Sequence, residues 1–174
     1  MPAYSDILCP IDASECSVRA LAAAAALAHR FDAKLTVLHA YHVPAYVEPG
    51  LLVWAALGPR PLWEVARERA HTVVAEFLAR YLPNPDRAPE SVIELGDPAT
   101  LVLERARRGE TDLIVMGTHG RTGARRWMLG SVAERVVRLA PCPVLVLPLH
   151  DSLSRREAPE PGQGSKLLSK GDST

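Results

Sequence analysis

The sequence predicts an α/β fold: an open parallel five-stranded sheet with helices on both faces. Three observations carry this. Short apolar runs alternate with helical stretches in the order β-α-β-α-β-α-β-α-β. The strand runs are apolar at successive positions, as strands covered on both faces require. Residues with helix-starting or helix-stopping chemistry stand between the elements. With 174 residues and 48% hydrophobic content, the chain has enough material for one core and little for a second.

The elements follow in order. "DILCPID" is a buried strand ending at Asp12. Ser14 is the N-cap of the next helix, because its hydroxyl can accept from a backbone N–H within the first turn. That helix, "ASECSVRALAAAAALAHRFDA", is alanine-dominated and reaches about Phe31, so it can lie close against a sheet. "KLTVLHAY" is the second strand, centred on the β-branched pair Thr36 and Val37. The stretch 42–61 holds four prolines and two glycines, which break any long element. "LWEVARERAHTVVAEFLARYL" then places Leu62, Val65, Ala66, Val73, Phe77, Leu78 and Tyr81 on one broad helical face, closed by Pro83 and Pro85.

"ESVIELG" is the third strand. Asp97 caps the helix after it, Pro98 occupies its first position, and Gly109 stops it. "TDLIVMG" is the fourth strand, a helix runs from Gly130 towards Pro141, and "PVLVLP" (143–148) is the fifth strand. The folded domain is expected over 1–148. The segment 149–174 turns rich in Ser, Gly, Pro and charge and is expected to be a disordered tail. No internal repeat is visible.

Charge and composition exclude several classes. Lys+Arg and Asp+Glu both number 20, a formal net charge of zero, which gives no basis for nucleic-acid or anionic-membrane binding. The longest apolar runs are far too short to span a bilayer, and the N-terminus lacks the pattern of a secretory signal. The three cysteines, Cys9, Cys16 and Cys142, show no paired spacing and fit a reducing compartment. A cytoplasmic location is expected. His39 and His42, three apart on a strand end, have poor chelation geometry, and no metal site is expected.

The stretch "GTHGRTGARRWMLGSV", 117–132, is the most informative. It follows a strand and precedes a helix. Gly117 and Gly120 allow backbone N–H groups to approach a phosphate, and Gly130 with Ser131 stands at a helix start, where free N–H groups favour an anion. Arg121, Arg125 and Arg126 add charges suited to phosphate oxygens. The competing reading is that the glycines only shape a turn. Asp12 likewise either meets a ligand or caps the next helix. His119 has no base–acid–nucleophile set around it in sequence, so a contact or loop-shaping role fits it better than catalysis. Neither a G-x-x-x-x-G-K-[ST] loop nor a G-x-G-x-x-G fingerprint is present.

The segments "ILCPIDASECSVRAL", "LTVLHAY", "GDPATLVLERA", "DLIVMGTHGRTG" and "LGSVAERVVRLAPCPVLVLP" resemble the universal stress protein family in its ATP-binding branch, over about Ser5 to Pro148. Gly117, Gly120, Gly130 and Ser131 match the family's G-2x-G-9x-G-[S/T] motif at every position. The resemblance implies a Rossmann-like sheet of the adenine nucleotide alpha hydrolase type. It implies ATP as ligand, with Mg2+ or Mn2+ on the phosphates. Asp12 would contact the nucleoside, Ala40 the adenine edge, and Pro10, Ile11 and Met116 would line the base pocket. Gly117, His119, Gly120, Gly130, Ser131 and Val132 would surround ribose and phosphates. It also implies a homodimer through the strand at 143–148. The insert with Trp54 and Trp63, the tail, and Trp127 match no family motif.

Two functions are therefore carried forward. One is a nucleotide-loaded stress-response regulator, with no enzymatic activity or at most slow ATP hydrolysis. The other is an adenylate-forming or nucleotidyl-transfer enzyme on the same fold. Such enzymes use a phosphate motif after the first strand, and here that position reads "PIDASE".

Overall fold

The computed structural model describes residues 4–43, 47–48, 50–55, 58–83, 87–118 and 129–148. The elements are β1 (Asp6–Pro10), α1 (Glu15–Phe31), β2 (Lys34–Tyr41), β3 (Leu52–Ala55), β4 (Gly58–Pro61), α2 (Leu62–Tyr81), β5 (Glu90–Leu95), α3 (Pro98–Arg107), β6 (Leu113–Gly117), α4 (Ser131–Leu139) and β7 (Val144–Leu147). Five strands form one sheet in the order β5-β2-β1-β6-β7, and every pairing in it is parallel. The predicted sheet and its strands are all present.

Side-chain alternation along the central strands divides the core in two. Ile7 and Cys9 of β1, Leu35 and Val37 of β2, and Leu113 and Val115 of β6 point to one face. There they pack with Ala20, Leu21, Ala24 and Ala28 of α1 and Val74 and Phe77 of α2. Leu8, Leu38, Ile114 and Met116 point to the other face, against Ala99, Val102 and Ala106 of α3 and Ala133 and Val136 of α4. Burying each large aliphatic side chain of this kind contributes about 1.5–3 kcal/mol. The alanines of α1 let its backbone approach the sheet closely. Cys9 is sealed inside, and burial pushes its thiol up to about 12.

The chain moves from β1 outward through β2 to β5, then returns across the sheet to β6 and β7. Crossovers of a single hand require the helices to change face when the direction reverses, and they do. The reversal places a switch point between the carboxyl ends of β1 and β6.

The capping chemistry read from sequence is realised. The Ser14 hydroxyl accepts from Ser17 N, and the Asp97 carboxylate accepts from Thr100 N at 2.9 Å. Pro98 sits in the first turn of α3, and Gly109 follows that helix with φ +75°, a conformation suited to glycine.

Two features differ from the sequence reading. The buried stripe of α2 is Ala70, Val74 and Phe77, whereas Tyr81 is exposed. The proline-rich stretch is not simply irregular: β3 and β4 pair antiparallel as a hairpin outside the main sheet. Its inner face rests on α2, where Arg60 forms a two-pronged bond to Glu68 (2.7 and 2.6 Å) and reaches Glu64 at 2.9 Å.

Candidate functional site

Two connections leave the switch point, and they are built differently. The β1–α1 turn is closed by its own side chains. Asp12 Oδ1 accepts from Ser14 N at 3.1 Å and from the Ser17 hydroxyl at 2.7 Å. Ser17 Oγ in turn accepts from Asp12 N at 3.0 Å. Ala13 between them has φ +61°, in the left-handed region that costs a non-glycine residue roughly 1–2 kcal/mol. The reciprocal Asp12–Ser17 bonds hold it there. From below, Ile11 N donates to Leu38 O at 2.8 Å, and His39 Nδ1 lies 2.9 Å from Ile11 O. A carbonyl only accepts, so Nδ1 carries the proton.

The base of the β6–α4 connection is closed by backbone bonds. Thr118 N donates to Leu147 O at 2.9 Å, and Gly130 N donates to Thr118 O at 2.7 Å. These bonds return the chain to the carboxyl end of β6 before α4 begins. Gly130 is the N-cap of α4 with φ −63° and ψ 152°, and as a glycine it supplies no side-chain cap. α1 and α3 do carry side-chain caps, from Ser14 and Asp97. The first N–H groups of α4, with the Ser131 hydroxyl beside them, have the chemistry of an anion site.

Gly117 has a packing role that its spacing does not reveal. A Cβ placed on it would lie 2.6 Å from Cys16 Cβ and within 3.3 Å of the Cys16 carbonyl. Its bare face is filled by the first turn of α1. It also ends β6 in strand conformation, paired with Leu147. Gly117 is therefore glycine because α1 packs on it, not because a phosphate approaches that face. Cys16 is the buried partner in this contact.

The remaining sequence candidates fall in two layers. Pro10 pairs with Leu38, and Ala40 lies two residues further along β2. Ala40, Met116 and Val132 pack in the layer of α3 and α4, while Ile11 packs in the layer of α1 and α2. Ile11 thus belongs to a different core cluster from Ala40 and Met116. His119, Gly120 and Arg121, with Arg125, Arg126 and Trp127, lie outside the described residues.

Sequence reasoning missed Ser17, His39, Thr118 and Cys16. The spacing Asp12-x-Ser14-x-x-Ser17 carried a readable signal, since an aspartate two residues before a serine favours an Asx-turn. The partners of His39 and Cys16 come from other segments and had no local signal. Among the described residues, no three His, Cys, Asp or Glu side chains gather to hold a metal ion.

Nearby, Asp97 also accepts from the Thr100 hydroxyl at 2.6 Å and from Arg135 Nη1 of α4 at 2.7 Å. The Thr100 hydroxyl first, then the Thr100 backbone N–H and Arg135, hold the Asp97 carboxyl below its ordinary range. This joins the starts of α3 and α4.

Fold and edge together define a class: an open, doubly wound α/β domain whose crevice at the switch point has one self-satisfied turn and one side-chain-free helix start. Known proteins place it more narrowly. The universal stress protein family model matches residues 3–148. A universal stress protein of Thermus aquaticus is 38% identical over 150 residues, covering 83% of this chain and 98% of the relative. One of Methanocaldococcus jannaschii is 34% identical over 148 residues, covering 83% and 82%. Among solved structures, the universal stress protein UspA of Lactobacillus plantarum is similar with a TM-score of 0.68 and 27% identity, over 84% of this chain and 99% of that one. A universal stress protein solved in complex with cAMP shares the fold, with a TM-score of 0.61 and 23% identity, over 86% of this chain and 100% of that one. The chain belongs to the universal stress protein family.

Proposed function

We propose that this protein binds an adenine nucleotide, ATP with a divalent cation, at the carboxyl edge between β1 and β6, and acts as a nucleotide-loaded regulator in a stress response. The single observation that carries the reading is the start of α4. Its N-cap is Gly130, a residue with no side chain to cap with, and the backbone bonds through Thr118 hold it at the end of β6. A helix start of this kind suits phosphate oxygens. The cAMP complex of a family member with the same fold supports an adenine nucleotide as the class of ligand.

In this reading the N–H groups of Ser131 and Val132 and the Ser131 hydroxyl hold the phosphates over the bare Gly130, whose own N–H is held by Thr118 O, with His119, Gly120 and Arg121 beside them. Asp12, Pro10, Ile11, Ala40 and Met116 stand around the nucleoside. Gly117 shapes the site through its packing on Cys16. The cation rests mainly on phosphate oxygens, since no three His, Cys, Asp or Glu side chains of the described residues converge to hold it. Hydrolysis is slow at most, because the sequence has no P-loop lysine and places no lysine or carboxylate set for in-line attack. The protein is a cytoplasmic homodimer, paired through the sheet-edge strand β7. The segment 149–174, expected to be a tail, lies outside the described residues.

The test is mass spectrometry of nucleotide released on denaturing the gently purified protein, followed by titration with Mg-ATP. Intact bound or bindable ATP supports the regulator. Rapid turnover moves the assignment to nucleotidyl transfer, and no binding at millimolar nucleotide overturns the site. Two variants locate it. Gly130→Val keeps an ordinary backbone conformation but crowds the helix start, and Ser131→Ala removes one hydroxyl. Ser131→Ala is expected to weaken binding roughly five- to tenfold, with an unchanged melt. Unchanged affinity in both folded variants sinks the α4 assignment.

A further inference from the structure

The β3–β4 hairpin has two edges of opposite character. Leu62 N donates to Leu51 O at 2.9 Å, which makes 51 and 62 a hydrogen-bonded pair. The register Leu52↔Pro61, Val53↔Arg60, Trp54↔Pro59 and Ala55↔Gly58 then alternates from it. Val53–Arg60 and Ala55–Gly58 are hydrogen-bonded pairs, while Leu52–Pro61 and Trp54–Pro59 are not. In the latter pairs, backbone groups point away from the hairpin. Pro59 and Pro61 therefore stand at the positions whose N–H would face outward, and the outer edge of β4 has no donor there. The outer edge of β3 offers the N–H and C=O of both Leu52 and Trp54. Among the described residues, β3 pairs with β4 alone.

Directly opposed residues share a face, so Leu52, Trp54, Pro59 and Pro61 form one apolar surface, away from the face that carries Arg60. Trp54 is 86% exposed and Leu52 59% exposed. Proteins ordinarily blunt such edges. Here one edge is blunted with two prolines and the other is left open.

We propose that the open edge of β3 pairs with β3 of a second copy of this chain, antiparallel about a two-fold axis at Val53. In that register Leu52 lies opposite Trp54 of the second copy and Trp54 opposite its Leu52. All four outward donors meet all four outward acceptors, and each Leu–Trp pair packs on the apolar face. The result is a four-stranded sheet, β4-β3-β3-β4, with prolines on both outer edges. Growth through this edge stops at two copies, because the two-fold contact is isologous and closed. It is short, so it buries less than the about 800 Å² per partner of a standard interface. The pairing is correspondingly weak and concentration-dependent. It is independent of the nucleotide site and of pairing through β7.

The experiment is sedimentation equilibrium of the full chain from micromolar to near-millimolar protein. Trp54→Lys puts like charges beside the two-fold axis at an exposed position. It is expected to halve the limiting mass at high concentration while leaving the melt unchanged. Leu52→Pro removes an outward donor that the hairpin does not use, and is expected to do the same. Pro59→Thr restores a donor on β4 and is expected to give assemblies beyond the wild-type limit. Leu145→Lys, on β7, separates the two modes: association that persists in it and is lost on adding Trp54→Lys belongs to the hairpin. A limiting mass unchanged by both Trp54→Lys and Leu52→Pro overturns the proposal, whatever Leu145→Lys does to β7 pairing.

Discussion

The turn after β1 and the connection after β6 sit side by side at the switch point, yet they meet their hydrogen-bonding needs in opposite ways. After β1, Asp12, Ser14 and Ser17 satisfy one another and the start of α1, and His39 bonds the carbonyl of Ile11 just below. After β6, backbone bonds pin the base, and the helix starts with a glycine and no side-chain cap. A helix that caps itself spends its terminal donors on stability. One that does not leaves them to water or to a ligand. The first connection is thus the wall, and the second the anion-accepting side, of the nucleotide site proposed above.

The sharpest way to break this contrast is through the contact that joins the two connections. Gly117→Val is expected to destabilise the fold by about 3 kcal/mol, because its side chain must displace Cys16 and the first turn of α1. Urea denaturation measures it. A change below about 1 kcal/mol would mean that α1 gives way easily and the wall is not rigid. Lost nucleotide binding in this variant is no test of phosphate contact, since α1 moves with it.

A smaller effect separates the two roles of Asp12. Asp12→Ala removes the acceptor for Ser14 N and the Ser17 hydroxyl, and is expected to cost about 1–2 kcal/mol in thermal or urea unfolding. Asp12→Asn keeps a carbonyl oxygen for both bonds and is expected to stay near wild-type stability. Nucleotide affinity lost in Asp12→Asn at constant stability assigns the charge to the ligand. Equal affinity leaves Asp12 as wall only.

The smallest effect is at the seam between α3 and α4. The Asp97 carboxyl is held below its ordinary value of 3.8, chiefly by the Thr100 hydroxyl. A carboxyl depressed in the folded state contributes stability that is complete above the unfolded value and is lost as pH falls through the folded one. Acid unfolding of Asp97→Asn should therefore converge on wild type below the aspartate range and fall beneath it near neutrality. Curves that stay parallel at all pH would remove Asp97 from this linkage. Arg135 is too exposed for a large contribution.

Much of the fold was legible because its signals are local. Ser14 caps its own first turn, and Pro98 and Gly109 bracket one helix. The runs around Ile7, Val37 and Val115 are apolar at successive positions because both faces of the sheet are covered. The hairpin was not legible. Proline argues against a strand, and Pro59 and Pro61 are tolerated only because the pairing register puts their missing donors on the outside. A register is a relation between two segments, and neither segment contains it alone. The rotation of α2 was missed for a related reason. Its apolar residues spread around the helix, and packing on the sheet selected Val74 over Val73.

At the site the division is the same. The order of elements and the Gly130–Ser131 helix start followed from sequence alone, since they depend on periodicity and on residues adjacent in the chain; the switch point needed the strand order, which pairing between distant segments sets. Tertiary structure decided what the glycines and histidines are for. Gly117 is bare because Cys16, one hundred residues earlier, occupies the space a side chain would need. His39 fixes the loop of Asp12 because parallel pairing sets the end of β2 beside the end of β1. Contacts of this length are made by packing, and packing is written in no single stretch of the chain.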